Sequence, residues 1–196
     1  MTRLPGVADR DASLGAKLAY FFTKRRFVAM TGRETEDMLE PLRMYAHIPK
    51  LLSGYGRLEQ AVAKLDLLDL RHRALAELKA ATTTRCAYCI DLGSQIARGW
   101  GLTDEELLAL PNYRNASCFS EVDKLVLEYA AAMSRTPVEV SDELFARLRE
   151  HFDTAQLVEL THIVALENLR ARFNLALDIG SAGFTAGMVC AVPEQT

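Results

Sequence analysis

Cys86 and Cys89 stand two residues apart in the stretch Arg85-Cys86-Ala87-Tyr88-Cys89-Ile90-Asp91-Leu92-Gly93-Ser94. Two sulfurs at that spacing on one helical turn can close a reversible disulfide. At a helix start, unpaired backbone N–H groups and the positive end of the macrodipole favour the thiolate, which is the reactive form. A structural zinc site would instead need four Cys or His ligands in paired clusters. The other candidates, Cys118, Cys190, His47, His72, His151 and His162, are far apart and none is paired at ligand spacing. Cysteine can also be a small buried hydrophobe. With one Cys-x-x-Cys and no second pair, the residues favour redox chemistry, and no metal or cofactor is expected.

Helices must position that pair. Asp69 is a good cap for a helix over residues 70–81, and Thr82-Thr83-Thr84 is a β-branched run that weakens it, so the helix is expected to fray or turn just ahead of Cys86. Ile90, Leu92, Ile96 and Ala97 then form an apolar stripe that Gly99 and Gly101 close, which places both cysteines on the first turn of a second helix.

Away from the pair, Leu14, Leu18, Phe21, Phe22 and Val28 predict a first helix ending before Gly32, with Lys24-Arg25-Arg26 as a solvated basic tip. Glu36 to Ala46 reads as a helix in which Pro41 is tolerable only near the first turn, and Pro49 opens another through Leu65. Thr103 to Glu106 is a capping box, Pro111 ends the short helix it starts, and Asn112 to Ser120 is a loop. Ser120 caps a helix through Met133, Ser141 caps one to about His151, and Asp153 starts a long helix to about Leu177, closed by Gly180. No segment reads as a strand. The expectation is an all-α bundle of roughly eight helices, one domain over residues 1–196 with its core unit at about 66–110.

A chain of 196 residues that is 49% hydrophobic can bury a packed core, and a net charge of −3 gives no global attraction for nucleic acid. No apolar run approaches the length of a bilayer span, and the amino terminus lacks the apolar region of a secretory signal. Neither nucleic acid nor membrane is expected as a partner, and the cytoplasm is the expected compartment, where the two cysteines rest reduced between turnovers. The last long helix carries His162, Glu167, Asn168, Arg170, Arg172 and Asn174 in an apolar frame. Asn168 and Arg172, one turn apart, read as a polar clamp between helices, and His162 as a satisfied core or interface histidine.

Several of these residues carry a resemblance. Leu75 to Ala81, Cys86 to Ser94, Ala97-Arg98 and Gly101 to Leu107 resemble the carboxymuconolactone decarboxylase superfamily, on its alkylhydroperoxidase D-like side. Asn168 to Asn174 and Ala182-Gly183-Phe184 are similar to the C-terminal part of its longer members. The resemblance implies an all-helical fold that assembles as a homo-oligomer and a peroxidase cycle run by the two cysteines. It makes Cys89 the peroxidatic residue and Cys86 the resolving one. A peroxide would be the substrate, and an external thiol or dithiol would reset the pair.

The chain departs from that pattern at three places. The family's proton-relay glutamate falls on Ala74, and its two histidines fall on Tyr88 and Gly93. Glu77, one helical turn beyond Ala74 and roughly 60° round the helix, is the candidate replacement, with Asp91 and Tyr88 as others. The alternatives to a peroxidase are a decarboxylase-like enzyme, against which the Cys-x-x-Cys argues, and a redox-sensitive helical oligomer without catalysis, which the missing histidines favour. The apolar stretches Leu14 to Phe22 and Gly183 to Val192 are the expected oligomer contacts.

Overall fold

The computed structural model describes residues 2–194; Met1, Gln195 and Thr196, at the ends of the expected domain, lie outside the described residues. Among the described residues the structure is all-helical, with nine α-helices, two short 3-10 turns and no strand. No helix among them is long and apolar enough to cross a membrane.

Helix α1 (Leu14–Thr31) starts at Ser13, whose hydroxyl accepts from the Ala16 N–H. It ends at Gly32, which takes the left-handed conformation (φ 68°) that a residue with a Cβ seldom adopts. The expected helix over Glu36–Ala46 is divided into a 3-10 turn, Glu36–Leu39, and α2, Glu40–Tyr45. Pro41 in the first turn of α2 supplies no N–H to a preceding carbonyl, so a continuous helix cannot run through it. Helix α3 (Pro49–Val62) follows, opened by Pro49.

Helix α4 (Leu70–Thr84) is the centre of the molecule. It packs against α5 (Ala87–Gly99), α7 (Glu121–Ser134) and α9 (Thr154–Ala176), so residues on every side of it, from Arg73 to Thr82, are buried. Helices α6 (Asp104–Ala109) and α8 (Asp142–Arg149) complete the set. Arg71 of α4 donates to Asp123 of α7 at 3.0 Å and to Glu106 of α6 at 2.5 Å, tying three helices at one point. Lys79, fully buried, donates to the Leu110 carbonyl at 3.0 Å, pairs with Glu194 and lies 4.5 Å from the centre of the Tyr113 ring. Burial pushes its ammonium below the usual lysine range.

The threonine run does not end α4 where its β-branching suggests. Thr82 and Thr84 donate their hydroxyls to the carbonyls of Lys79 and Ala80, at 3.0 and 2.8 Å, and the helix holds through Thr84. The turn falls instead on Arg85, at φ 60°. Residues beyond α9 double back along α5 rather than projecting from the subunit. Phe184 is fully buried, edge-on to Phe27 and Tyr88, and the Ala191 N–H donates to the Ser94 hydroxyl at 3.0 Å. Helix α1, by contrast, leaves Leu14, Leu18, Phe21 and Phe22 at least half exposed.

Candidate functional site

The site is assembled at the start of α5. Cys86 is the N-cap of that helix, and its sulfur accepts from the Cys89 N–H at 3.3 Å. The two Cα atoms are 5.2 Å apart and the sulfurs are joined as a disulfide. A cysteine at this place therefore does a cap's work, and its side chain points at the first-turn amides that favour negative charge. The expectation of both cysteines on the first turn is met, with Cys86 one position ahead of the helix proper.

The two sulfurs differ in access. Cys86 is fully buried, whereas Cys89 borders a cavity of about 740 Å³. Asn174, buried on α9, directs its amide N–H₂ at both, 3.7 Å from Cys86 Sγ and 3.6 Å from Cys89 Sγ. One wall of the cavity is an aromatic stack: Tyr45 lies between Tyr55 and Phe173, with ring centres 4.4 and 4.2 Å away. Leu52, Leu92, Ile96 and Trp100 contribute further apolar surface.

A charged cluster also borders the cavity. Arg170 of α9 holds Glu59 of α3 through two hydrogen bonds of 2.9 and 2.7 Å and donates to Glu167 at 3.0 Å. Its Nη1 lies 3.8 Å from Glu77 of α4, and Arg73 Nε lies 3.5 Å from the same Glu77 oxygen. Burial works against ionisation of Glu59, but the Arg170 charge and its hydrogen bonds outweigh it and hold that carboxyl below the usual range. At Glu167 burial wins over the attraction of Arg170. With Glu77 adding repulsion, its carboxyl is pushed up to about 7.

Of the groups the sequence offered in place of the family's relay, only Glu77 borders the cavity with a carboxylate. Asp91 is committed elsewhere: its two oxygens accept the Ser181 and Thr185 hydroxyls and the N–H groups of Ala182, Gly183, Phe184 and Thr185, at 2.6 to 3.0 Å. Burial raises that carboxyl, and the hydroxyl and backbone donors bring it below the usual range. Tyr88 borders the cavity, but its hydroxyl donates to the Met38 carbonyl at 2.5 Å, and burial pushes its ionisation far above the ordinary range. Gly93 borders the cavity too, and a Cβ there would come within 3.2 Å of Leu78 Cδ1, so a histidine would require Leu78 to give way.

The remaining histidines sit elsewhere. His72 pairs with Asp69 at 2.8 Å, His47 bonds the Pro5 carbonyl oxygen at 2.8 Å, His162 is half-buried on α9 and His151 is exposed. Among the described residues no three His, Cys, Asp or Glu side chains are grouped to hold a metal ion. Asn168 does clamp α9 to α7, donating to Ser134 at 2.9 Å, whereas Arg172 donates to Thr136, beyond the end of α7, at 2.7 Å. Sequence reasoning singled out Asn174, Glu167 and Arg170 as polar residues in an apolar frame, but missed that Asn174 faces the sulfurs and that Glu167 and Arg170 join Glu77. The available signal was their recurrence at i, i+3 and i+7, which puts three polar residues on one face of an otherwise apolar helix.

Among the described residues the fold is all-helical, with paired cysteines at the start of a helix. Residues 49–132 match the Carboxymuconolactone decarboxylase family. The Escherichia coli (strain K12) protein YnjA is 38% identical over 168 residues, covering 83% of this chain and 87% of its own. The chain belongs to the carboxymuconolactone decarboxylase family. The Bacillus subtilis (strain 168) protein YdfG is 31% identical over 106 residues, covering 54% of this chain and 72% of its own. Among solved structures, the debrominase Bmp8 superposes with a TM-score of 0.74 at 17% identity, over 93% of this chain and 92% of that one. The alkylhydroperoxidase AhpD core of a peroxidase-related protein from Ralstonia eutropha JMP134 gives 0.73 at 18% identity, over 93% and 94%. At such identities the likeness is one of fold.

Proposed function

We propose that the protein is a thiol-dependent peroxidase that reduces organic hydroperoxides through a Cys86/Cys89 dithiol–disulfide cycle. The observation that carries this reading is the difference in access: Cys89 borders the cavity and Cys86 lies buried behind it, still bonded to its partner. A peroxidatic sulfur must meet substrate, whereas a resolving sulfur need only meet the first sulfur.

The disulfide is the oxidised form in this cycle. An external dithiol attacks it and leaves as its own disulfide, returning Cys86 as a thiol and Cys89 as a thiolate favoured by the Asn174 donor. The Cys89 thiolate attacks the outer oxygen of the hydroperoxide. The O–O bond breaks, the sulfur becomes a sulfenic acid, and the alkoxide takes a proton to leave as an alcohol. Cys86 then displaces hydroxide from that sulfenic acid, its own proton completing the water, and the disulfide reforms. We assign the supply and recovery of the alkoxide's proton to Glu77 and Glu167, which border the same cavity as Cys89, with Arg170 neutralising whichever is ionised.

A second reading is favoured by the aromatic wall. A dithiol pair beside a cavity with an aromatic wall could instead reduce an aryl bromide, releasing bromide and the arene with hydrogen in its place as the disulfide forms. The fold neighbour Bmp8 is a debrominase described in complex with 2,3,4-tribromopyrrole. We also propose that the whole chain is one working domain, supported by a single continuous hydrophobic cluster, that it acts in the cytoplasm, and that it is a homo-oligomer through the exposed stripe of α1.

Stopped-flow reduction of cumene hydroperoxide by the reduced protein, with a dithiol donor, tests the main reading. Free thiols should fall by two per chain, and should not do so in Cys89→Ser. No peroxide consumption, or a bridge found by mass spectrometry between Cys118 and Cys190, would overturn it. Bromide release from a bromopyrrole without peroxide turnover would select the second reading.

A further inference from the structure

Four arginines and three glutamates border the cavity, so its wall carries an excess of positive charge. The inner charges are spoken for: Arg170 takes Glu59 and Glu167, and Arg73 lies against Glu77. The excess lies with two exposed arginines, whose exposure marks the mouth: Arg26 of α1 and Arg57 of α3 both border the cavity, and among the described residues neither has a carboxylate within ion-pairing distance. Arg26 is near enough to the interior for its charge to assist the ionisation of Glu59. Between this mouth and Cys89 the wall is mostly apolar, and its volume suits a ligand of many carbons.

We propose that the cavity takes an amphipathic monocarboxylate, its hydrocarbon body lying along the aromatic and aliphatic wall and its carboxylate held at the mouth between Arg26 and Arg57. Resting on the peroxidase reading, the substrate class is then a hydroperoxide of a long-chain carboxylic acid, with the peroxide group within the chain presented to Cys89. The arrangement separates two tasks. Burial of the hydrocarbon supplies the bulk of the binding, since apolar surface leaves water regardless of orientation. The paired guanidiniums set the direction, because a carboxylate pushed to the inner end would meet Glu59, Glu77 and Glu167 and lose its hydration without gaining an unoccupied cation. An uncharged ester of the same length keeps the first contribution and loses the second.

Binding can be measured without any chemistry. Dodecanoate and its methyl ester compete for the oxidised full-length protein against an environment-sensitive fluorescent probe. The acid should bind about tenfold tighter than the ester, and the preference should shrink as salt rises from about 50 mM to about 500 mM, because exposed ion pairs are screened. In the double variant Arg26→Gln, Arg57→Gln the acid-to-ester ratio should fall to about one, with circular dichroism confirming that the surface substitutions leave the helices folded. Equal binding of acid and ester by the unsubstituted protein, failure of both to bind, or an acid preference that survives in the double variant would overturn the proposal. An acid preference lost with the arginines, accompanied by no turnover of the acid's hydroperoxide, would sustain the binding site and sink the peroxidase reading alone.

Discussion

Asn174 Nδ2 lies 3.6 Å from Cys89 Sγ, so the last helix, 85 residues away in sequence, supplies a side-chain donor at that sulfur. The same amide reaches Cys86 at 3.7 Å, and the residue is buried, so water cannot readily replace it. A hydrogen bond to an ionised acceptor contributes about 1.5–3 kcal/mol. Asn174→Leu, similar in volume and without a donor, should raise the Cys89 thiol pKa by about one unit or more and slow the peroxide step about tenfold or more. Thiolate absorbance followed against pH checks the first effect and single-turnover kinetics the second. An unchanged titration would remove Asn174 from the chemistry.

Glu167 gives a pH dependence with a definite sign. Its carboxyl is raised from 4.5 to about 7, chiefly by burial, so between those values the folded protein holds a proton that the unfolded chain has released. Stability must therefore fall as pH rises through that window, by an amount on the order of 3 kcal/mol for a shift of this size. Glu167→Gln, which keeps a neutral partner for Arg170, should match the unsubstituted protein in thermal unfolding at acid pH and exceed it above pH about 7. Parallel unfolding curves at every pH would show that Glu167 is ionised throughout.

Asp91 predicts the opposite slope. Six hydrogen bonds from residues 181–185 converge on its carboxylate and hold its pKa below the usual aspartate range near 3.8. The stabilisation is fully present above that value and is lost as pH falls through the lowered folded pKa. Asp91→Asn replaces one acceptor oxygen by an N–H₂ facing N–H donors, and should cost about 3 kcal/mol or more. Limited proteolysis should then cut between Gly180 and Glu194. A tail as resistant as before would show that its hydrophobic contacts alone hold it.

The exposed stripe of α1 predicts an assembly. Leu14, Leu18 and Phe21 recur at i, i+4 and i+7, each at least half exposed, and Leu18 also borders the cavity that Arg26 lines. Light scattering should give a multiple of the monomer mass for the intact chain, and a smaller one for Leu18→Ser combined with Phe21→Ser. A monomer at micromolar concentration would reject the interface.

Much of the architecture was legible because it is local. The capping boxes at Thr103/Glu106, Ser120/Asp123 and Asp153/Gln156 join residues three apart, and each begins a helix where the sequence placed one. Pro41 and the Thr82–Thr84 run show where local reasoning stops. Pro41 divided its helix because it lacks an N–H, a property of the residue itself. The threonines stayed helical because burial and back-bonding to carbonyls outweighed their propensity.

The sequence by itself determined the fold class and the placing of two cysteines on a helix start, since apolar periodicity, caps and turn residues act within a few positions. Tertiary structure alone decided which sulfur meets the cavity, that Asn174 faces both, that Asp91 anchors the tail instead of serving the site, and that Glu77 shares Arg170 with Glu167. Each of those joins α4 or α5 to residues of α9 or the tail, and no local pattern encodes which buried polar groups will meet. Only the packing of α9 and the tail against the central helices brings those partners within bonding distance, and burial then sets the ionisation of the groups that meet.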